Sequence, residues 1–395
     1  MDKVLVIGGG QAAGWACKTL RAEGYDGAIT VVAEEAHDFY ERPPLSKDAL
    51  TADAPLPRLF SPEDMAALQL CWKRPARAVA IDRASRQVTL ADGERLSYER
   101  LLIATGARAR LPVADWAQLD RVVTLRSWDD AQVLRRRLAT ARRVAVIGGG
   151  WIGLEVASSA RALGLEVAVF ERAPGLCGRS VGPEVAEAIA ELHRENGVAL
   201  HLDCGDLHLA QTPSAIHVRA GGSSESFDLV VVGTGVQINL ELARDAGLDT
   251  DQGVLVDEAG RTSDPHIFAA GDVAQHPQLG ICLQSWAFAQ NQATVAARAL
   301  LGQAVGYREP AWLWSDQCGR NIQILGTPVA NGRCVVRRET ASIVFFYLDA
   351  DNRLAQMVAF DQPRAIKLGK RWINTGLALD ASLLANPDFN LMQLR

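Results

Sequence analysis

No two cysteines in this chain are spaced C-x-x-C, although seven are present, at positions 17, 71, 177, 204, 282, 318 and 334. That spacing and the odd total point away from a zinc site, a redox-active disulfide and a disulfide framework, so the thiols are expected to be reduced and mostly buried. Also missing is any apolar run near the ~18 residues that suggest a membrane span. The first strand begins at Lys3, which leaves no room for a signal peptide, and a cytoplasmic location is expected. Positive charge is not in excess: 41 basic against 46 acidic residues give a net charge of −5. Neither nucleic acid nor an anionic membrane is therefore an expected partner.

What is present is a duplicated glycine device. A β-branched run over 4–7 enters Gly8, Gly9 and Gly10, followed by Ala12, Ala13 and Gly14; a second run over 144–147 enters Gly148, Gly149 and Gly150, followed by Gly153. Such glycines permit a tight turn and let backbone N–H groups approach a pyrophosphate seated on a helix N-terminus. One copy alone is a weak signal, because glycine-rich strand-to-helix turns also serve as plain connections. Here each copy precedes a helix-like stretch and then a second strand that ends in acid, 29–32 before Glu34 and Glu35, and 167–170 before Glu171. Two cradles imply two dinucleotides.

The organisation repeats around the cradles. With 395 residues, 48% of them hydrophobic, the chain has room for roughly two to three domains. A helix is expected over 12–23, an irregular stretch over 39–47 whose paired prolines exclude interior helix, a β-meander over 77–100 and a strand over 101–104 ending in Thr105 and Gly106. A fresh unit follows, with a helix over 129–140, the second cradle, a meander from 200 to 232 and a closing strand before Gly233, Thr234 and Gly235. This echo reads as an internal duplication, one dinucleotide domain inserted into another. The first domain is expected to comprise 1–112 and 239–308, completed by a strand at 267–270 leading into Gly271 and Asp272 and by a helix over 285–301. The second comprises 113–238. Residues 309–395 carry no cradle; strands at 322–325, 334–337, 343–348 and 354–360 and a helix over 366–375 describe a separate α+β domain.

A resident flavin and a visiting nicotinamide are the natural occupants of two such sites in one chain. Glu171 bears on the second, since a carboxylate at that strand end accepts from a ribose 2′-OH and repels a 2′-phosphate. NADH is expected over NADPH, although Arg172 and Arg179 lie close in sequence. Glu155 falls about one turn into the second cradle's helix, where a charge facing the sheet requires a partner.

Four further motifs carry a resemblance: Tyr40 and Glu41 with Arg42, Pro43, Pro44, Leu45, Ser46 and Lys47; Ala104, Thr105 and Gly106; Gly271 with Asp272; and Trp314, Ser315, Asp316 and Gln317. Together they resemble the FAD-dependent NADH:ferredoxin reductases of bacterial oxygenase systems, of the putidaredoxin reductase and aromatic-ring dioxygenase reductase type, over essentially the whole chain. The resemblance implies an α/β fold on a glutathione-reductase-like plan, with two Rossmann-like dinucleotide-binding domains and a C-terminal α+β domain. It implies Gly8, Gly10, Ala12 and Ala13 at the FAD pyrophosphate and Glu34, with Glu35, at the adenosine ribose. Arg42, Arg110 and Arg126 are implied as further FAD contacts, Val79 as an adenine-side backbone contact, Asp272 beside Gly271 as a ribitol acceptor and Trp286 as a residue against the flavin. Gly148, Gly150, Gly153, Glu171 and Gly235 would serve NADH. Lys47 and Glu155 would form a pair at the reacting rings that positions groups without transferring protons. Cys282 and Gln284 depart from the family, which usually has arginine and glutamate there.

The same resemblance implies hydride transfer from NADH to FAD, then single electrons to a [2Fe–2S] ferredoxin that feeds a terminal oxygenase. Trp312 and Trp314 are candidates for the ferredoxin surface, equally readable as core, and Arg320, Arg333, Arg337 and Arg338 either steer an acidic partner or line a solvated strand edge. The run from Arg42 to Lys47 is shared with rubredoxin reductases and apoptosis-inducing-factor-like proteins, so rubredoxin reduction and a redox-controlled interaction protein stand as alternatives, as does NADH oxidation with O₂ as acceptor. The purified protein is expected to be yellow and to bleach quickly with NADH and slowly with NADPH. Glu171→Ala should narrow that preference, and an unchanged ratio of kcat/KM for the two nucleotides would remove Glu171 from the selection.

Overall fold

The computed structural model describes residues 2–394, which form two compact units. The first takes Met1–Arg42, Leu56–Arg108 and Val236–Glu309; the second takes Pro43–Pro55, Ala109–Gly235 and Pro310–Arg395. Among the described residues no helix is long and apolar enough to cross a membrane.

The first unit is built on a five-stranded parallel sheet in the order Ile267–Ala269, Arg100–Ile103, Lys3–Ile7, Ala28–Val32, Leu70–Lys73. Its central strands are mostly apolar because both faces are covered. Alternation divides them: Val4, Val6, Ile29, Val31, Leu102 and Phe268 enter one core with the helices, while Leu5, Ile7, Leu101, Ile103 and Ile267 enter another beneath the meander Ala78–Asp82, Gln87–Leu90, Arg95–Ser97. The helix Gln11–Ala22 lies against Trp286–Leu300, and buried alanines on both, Ala12, Ala13 and Ala16 on one and Ala289, Ala293 and Ala296 on the other, let them approach closely. The edge strand Leu70–Lys73 is only partly buried, so it lacks the apolar run that announces the central strands.

The second unit contains a matching parallel sheet, in the order Val198–His201, Glu166–Phe170, Arg143–Ile147, Leu229–Val232, Val122–Thr124. One face packs on an antiparallel meander, Leu207–Gln211, Ile216–Ala220, Ser223–Phe227. The expected helix near 129–140 is Trp128–Leu138, begun by a capping box in which Ser127 and Asp130 each accept from the other's backbone N–H. A helix the sequence reading did not include, Pro183–Glu195, precedes the strand Val198–His201. The Pro43–Pro55 segment packs here as well. Its prolines occupy the start of a 3-10 turn, Pro43–Ser46, where no amide hydrogen is required, and a single helical turn, Asp48–Thr51, follows.

Also within the second unit, an antiparallel sheet runs Trp312–Gln317, Arg320–Gly326, Leu354–Phe360, Ile343–Leu348, Arg333–Arg338. The helix Pro363–Thr375 covers it and buries Trp372 completely. Strand Trp312–Gln317 gave no sequence signal, since its first three residues are half-buried without alternation.

Two expectations need correction. Only Cys17 and Cys177 are buried; Cys71 is exposed and the other four are intermediate, so the thiols are free but not mostly interior. Arg337 is neither a docking residue nor part of a solvated edge. It is buried, pairs with Glu339 at 2.6 Å and donates to the carbonyls of Asn386, Pro387 and Phe389 at 2.5, 2.8 and 3.1 Å, tying the C-terminal segment to the sheet. Arg320 is likewise committed, to Asp361, whereas Arg333 and Arg338 are exposed. Hydrogen bonds to a charged group contribute about 1.5–3 kcal/mol. Arg337→Ala should therefore lower the thermal midpoint and open residues 386–394 to carboxypeptidase; an unchanged midpoint with an intact C-terminus would refute the clamp.

Candidate functional site

In the first unit the strand Lys3–Ile7 delivers its chain to Gly8, which adopts φ +132° and is pressed against the Ala104 carbonyl so closely that no side chain fits. Gly10 is different. It caps the helix Gln11–Ala22 with no side-chain cap bond and no acid in the first turn, and a Cβ there would meet nothing nearer than Arg42 Nη2 at 4.0 Å. Open space before uncapped helix amides fits a pyrophosphate. Ala12 and Ala13 follow, both buried. Glu34 lies exposed past the second strand.

Glu35 is engaged instead with protein groups. It pairs with Arg42 at 2.8 Å and accepts from the Tyr40 hydroxyl at 2.6 Å, and Arg42 also donates to Tyr40 at 2.8 Å. Burial opposes the Arg42 charge, but Tyr40, Glu35 and Asp272 hold the guanidinium protonated above its usual range. Asp272 follows Gly271, whose φ is +79° and whose N–H donates to the buried Gln292 at 2.9 Å. Trp286 opens its helix after the Ser285 cap and bonds Glu41, whose carboxyl is raised by burial in spite of that bond. Val79 sits at a bulge in strand Ala78–Asp82, 41% exposed. Burial pushes the Cys282 thiol up to about 12, so it stays protonated.

In the second unit the same construction recurs. Gly148 has φ +106° and a Cβ there would lie 2.5 Å from the Gly233 carbonyl, while Gly153 packs against the Gly148 carbonyl, bringing helix Trp151–Ala162 hard against the turn. Gly150, at the N-cap, faces open space. Glu171 accepts from the Gly149 N–H and from the Ala173 N–H, both at 2.7 Å. Each carboxylate oxygen is thus fixed by one backbone donor and keeps lone-pair capacity for a hydroxyl. Gly235, φ +95°, has Arg179 Nη2 3.0 Å from where a Cβ would stand. Arg110 is exposed and bonds this closing turn, donating to the Thr234 carbonyl at 3.0 Å, and the Arg126 N–H donates to Asp130 at 3.0 Å.

The pair expected from Lys47 and Glu155 is present in the second unit. Glu155, 3% exposed on helix Trp151–Ala162, lies 2.8 Å from Lys47 Nζ. Ser46 Oγ donates to the same carboxylate oxygen and Ser315 Oγ donates to the other at 2.5 Å. Lys47 also donates to the Pro43 carbonyl at 3.0 Å, and Ser159 on the same helix donates to the Ser46 carbonyl at 2.7 Å. Three donors meet a carboxylate whose burial would otherwise cost several kcal/mol. Such an arrangement fixes the Lys47 ammonium in place.

Comparison with known proteins agrees with this geometry. Residues 2–293 match the family described as pyridine nucleotide-disulphide oxidoreductase, and residues 312–395 match the reductase C-terminal family. The chain belongs to this oxidoreductase family. Over 99% of its length it is 40% identical to the anthranilate 1,2-dioxygenase system ferredoxin–NAD(+) reductase component of Burkholderia cepacia, covering 98% of that protein. Among solved structures it is 33% identical to the ferredoxin reductase for the CYP199A2 system of Rhodopseudomonas palustris, with a TM-score of 0.93, 100% of this chain and 99% of that one covered. It is 32% identical to a chain of the covalent putidaredoxin reductase–putidaredoxin complex, again with a TM-score of 0.93 and with 100% and 98% covered. The expected family and fold class are both borne out.

Sequence reasoning about this oxidoreductase overlooked the hydroxyls around Glu155. Ser46 and Ser315 stood inside the quoted motifs without a role, and the signal available was only that each is a small donor beside a recognised residue. Trp312 and Trp314 stack on each other, centroids 5.4 Å apart, and Trp312 packs partly against the C-terminal core. Breaking a buried ion pair costs about 3–5 kcal/mol, whereas an apolar replacement of both partners is often neutral. Lys47→Met is accordingly expected to lower the midpoint of unfolding sharply, and Lys47→Met with Glu155→Leu to recover more than half of the loss. A double variant no more stable than the single would mean that the hydroxyls, not Lys47, balance Glu155.

Proposed function

We propose that this oxidoreductase takes reducing equivalents from NADH, through FAD, to a small [2Fe–2S] ferredoxin that serves a terminal oxygenase of the aromatic-ring dioxygenase or P450 type. The observation that carries the reading is the repeated cradle, with open space before the uncapped helix amides at Gly10 and again at Gly150, in a chain whose seven cysteines are all free. Two nucleotide seats without a paired thiol direct electrons to an external acceptor.

In this reading FAD is held by Gly8, Gly10, Ala12 and Ala13 at its pyrophosphate and by Glu34 at its ribose, all within the first unit. Arg42, oriented by Glu35, Tyr40 and Asp272, supplies a fixed cation for the phosphates, and Asp272 and Trp286 line the remainder. Bound there, FAD supplies what no side chain can, acceptance of a hydride and release of electrons one at a time. Gly148, Gly150 and Gly153 seat the NADH pyrophosphate, and Glu171 takes the adenosine ribose. Because Gly149 and Ala173 already hold that carboxylate, its charge is in position before a nucleotide arrives, and a 2′-phosphate meets full repulsion. Lys47, anchored by Glu155, provides the ammonium of the redox centre, and orientation replaces acid–base chemistry because hydride transfer requires no base.

The relatives named as ferredoxin–NAD(+) reductases support the acceptor. Stopped-flow mixing decides it: the NADH-reduced protein is expected to reoxidise with a [2Fe–2S] ferredoxin many times faster than with air-saturated buffer or with rubredoxin. Faster reoxidation by oxygen would make the protein an NADH oxidase, and slow reoxidation by every acceptor would favour a redox-controlled interaction protein.

A further inference from the structure

From Glu155 a chain of hydrogen bonds runs into the interior of the second unit, through residues to which no cofactor role has been given. Ser315 Oγ, which donates to Glu155 Oε1 at 2.5 Å, is itself 2.9 Å from Gln317 Nε2, and Gln317 Oε1 is 2.9 Å from His193 Nε2. Ser315, Gln317 and His193 are 0%, 1% and 0% exposed. Ser315 and Gln317 stand two apart on strand Trp312–Gln317 and so share a face. His193 comes from the last turn of helix Pro183–Glu195.

The chain has only one polarity. A carbonyl oxygen cannot donate, so His193 must carry its hydrogen on Nε2 to meet Gln317 Oε1. The Gln317 amide nitrogen cannot accept, so it donates to Ser315 Oγ, and the serine hydrogen is left to point at Glu155. Burial pushes the His193 imidazole pKa down, keeping it neutral, and Nδ1 has no partner among the described residues. An amide in the middle gives no ready passage to a proton, so the chain orients and does not conduct. With the Gln317 amide turned over, its oxygen would take the serine hydrogen and Glu155 would lose a donor.

We infer that His193 is a positioning residue of the redox centre: by donating to Gln317 it fixes the direction of the chain that ends on Glu155, and so holds the carboxylate that anchors Lys47. This rests on the role proposed above for Lys47 and Glu155. His193 touches neither of them and acts wholly through Gln317 and Ser315.

The test compares His193→Phe, His193→Leu and His193→Gln with Lys47→Met as reference, each purified with its flavin. Three quantities are read: the saturated rate of flavin reduction by NADH, KM for NADH and the flavin midpoint potential against a reference dye. Turning the Ser315 hydrogen away from Glu155 removes a hydrogen bond to a charged group, which corresponds to about tenfold or more. His193→Phe and His193→Leu are expected to slow the saturated rate by about tenfold, to leave KM within about twofold and to make the potential more negative, because a less neutralised carboxylate disfavours added electrons. His193→Gln, whose amide N–H can stand where Nε2–H stood, should regain most of the rate and potential. Should His193→Phe fail to fold, His193→Leu removes the same donor with a smaller side chain. Wild-type rate and potential in the Phe and Leu variants beside an impaired Lys47→Met would overturn the inference, as would a Gln variant as impaired as the Phe variant. A wild-type Lys47→Met would instead show that the role proposed for the ion pair fails, and the inference with it.

Discussion

A carboxylate 3% exposed on a helix packed against a parallel sheet sets the terms for the surrounding structure. Left alone, Glu155 would carry the cost of a buried, unsatisfied polar group. It is satisfied because the Pro43–Ser46 turn brings Ser46 and Lys47 to one of its oxygens and the strand Trp312–Gln317 brings Ser315 to the other. The prolines, the short turn and the first strand of the C-terminal sheet are thus bound together by one charge. Replacement by an apolar residue of similar size would be the easier way to fill the space, so retention of a charge here is more readily explained by chemistry than by stability.

The two cradles show how one solution serves twice. Gly8 and Gly148 are required by contact with the carbonyls of Ala104 and Gly233, and no other residue fits. Gly10 and Gly150 are not crowded by protein, and their lack of a side chain leaves the helix amides accessible. The acids after the second strands then diverge: Glu171 is held by the cradle's own amide, Glu35 is paired with Arg42 and Glu34 is exposed. The backbone device is the same in both units, and the flanking charges differ.

Much of this was legible in the sequence because it is local. Residues 4–7 and 144–147 are continuous apolar runs, the glycines follow at once, and a glutamate one turn into a helix facing a sheet demands a counter-charge. What escaped reading is either half-buried or distant. The edge strand Leu70–Lys73 buries too little to show a pattern, and Trp312–Gln317 alternates only at its end. Arg337 looks like any strand-edge arginine until the chain returns as Asn386, Pro387 and Phe389 to meet it. Ser315, Gln317 and His193 lie far along the chain from Lys47, and no local spacing announces that they converge.

The discontinuity of the first unit bears on how the protein emerges during synthesis. Its parallel sheet lacks a member until Ile267–Ala269 has left the ribosome, whereas every strand of the second unit's parallel sheet, from Val122–Thr124 to Leu229–Val232, has been made by then. Domains of most proteins acquire structure in the order of translation. In this chain the later-encoded sheet is the first to close, and the N-terminal strands wait, apolar and unpaired at one edge, for a nascent segment more than halfway down the polypeptide.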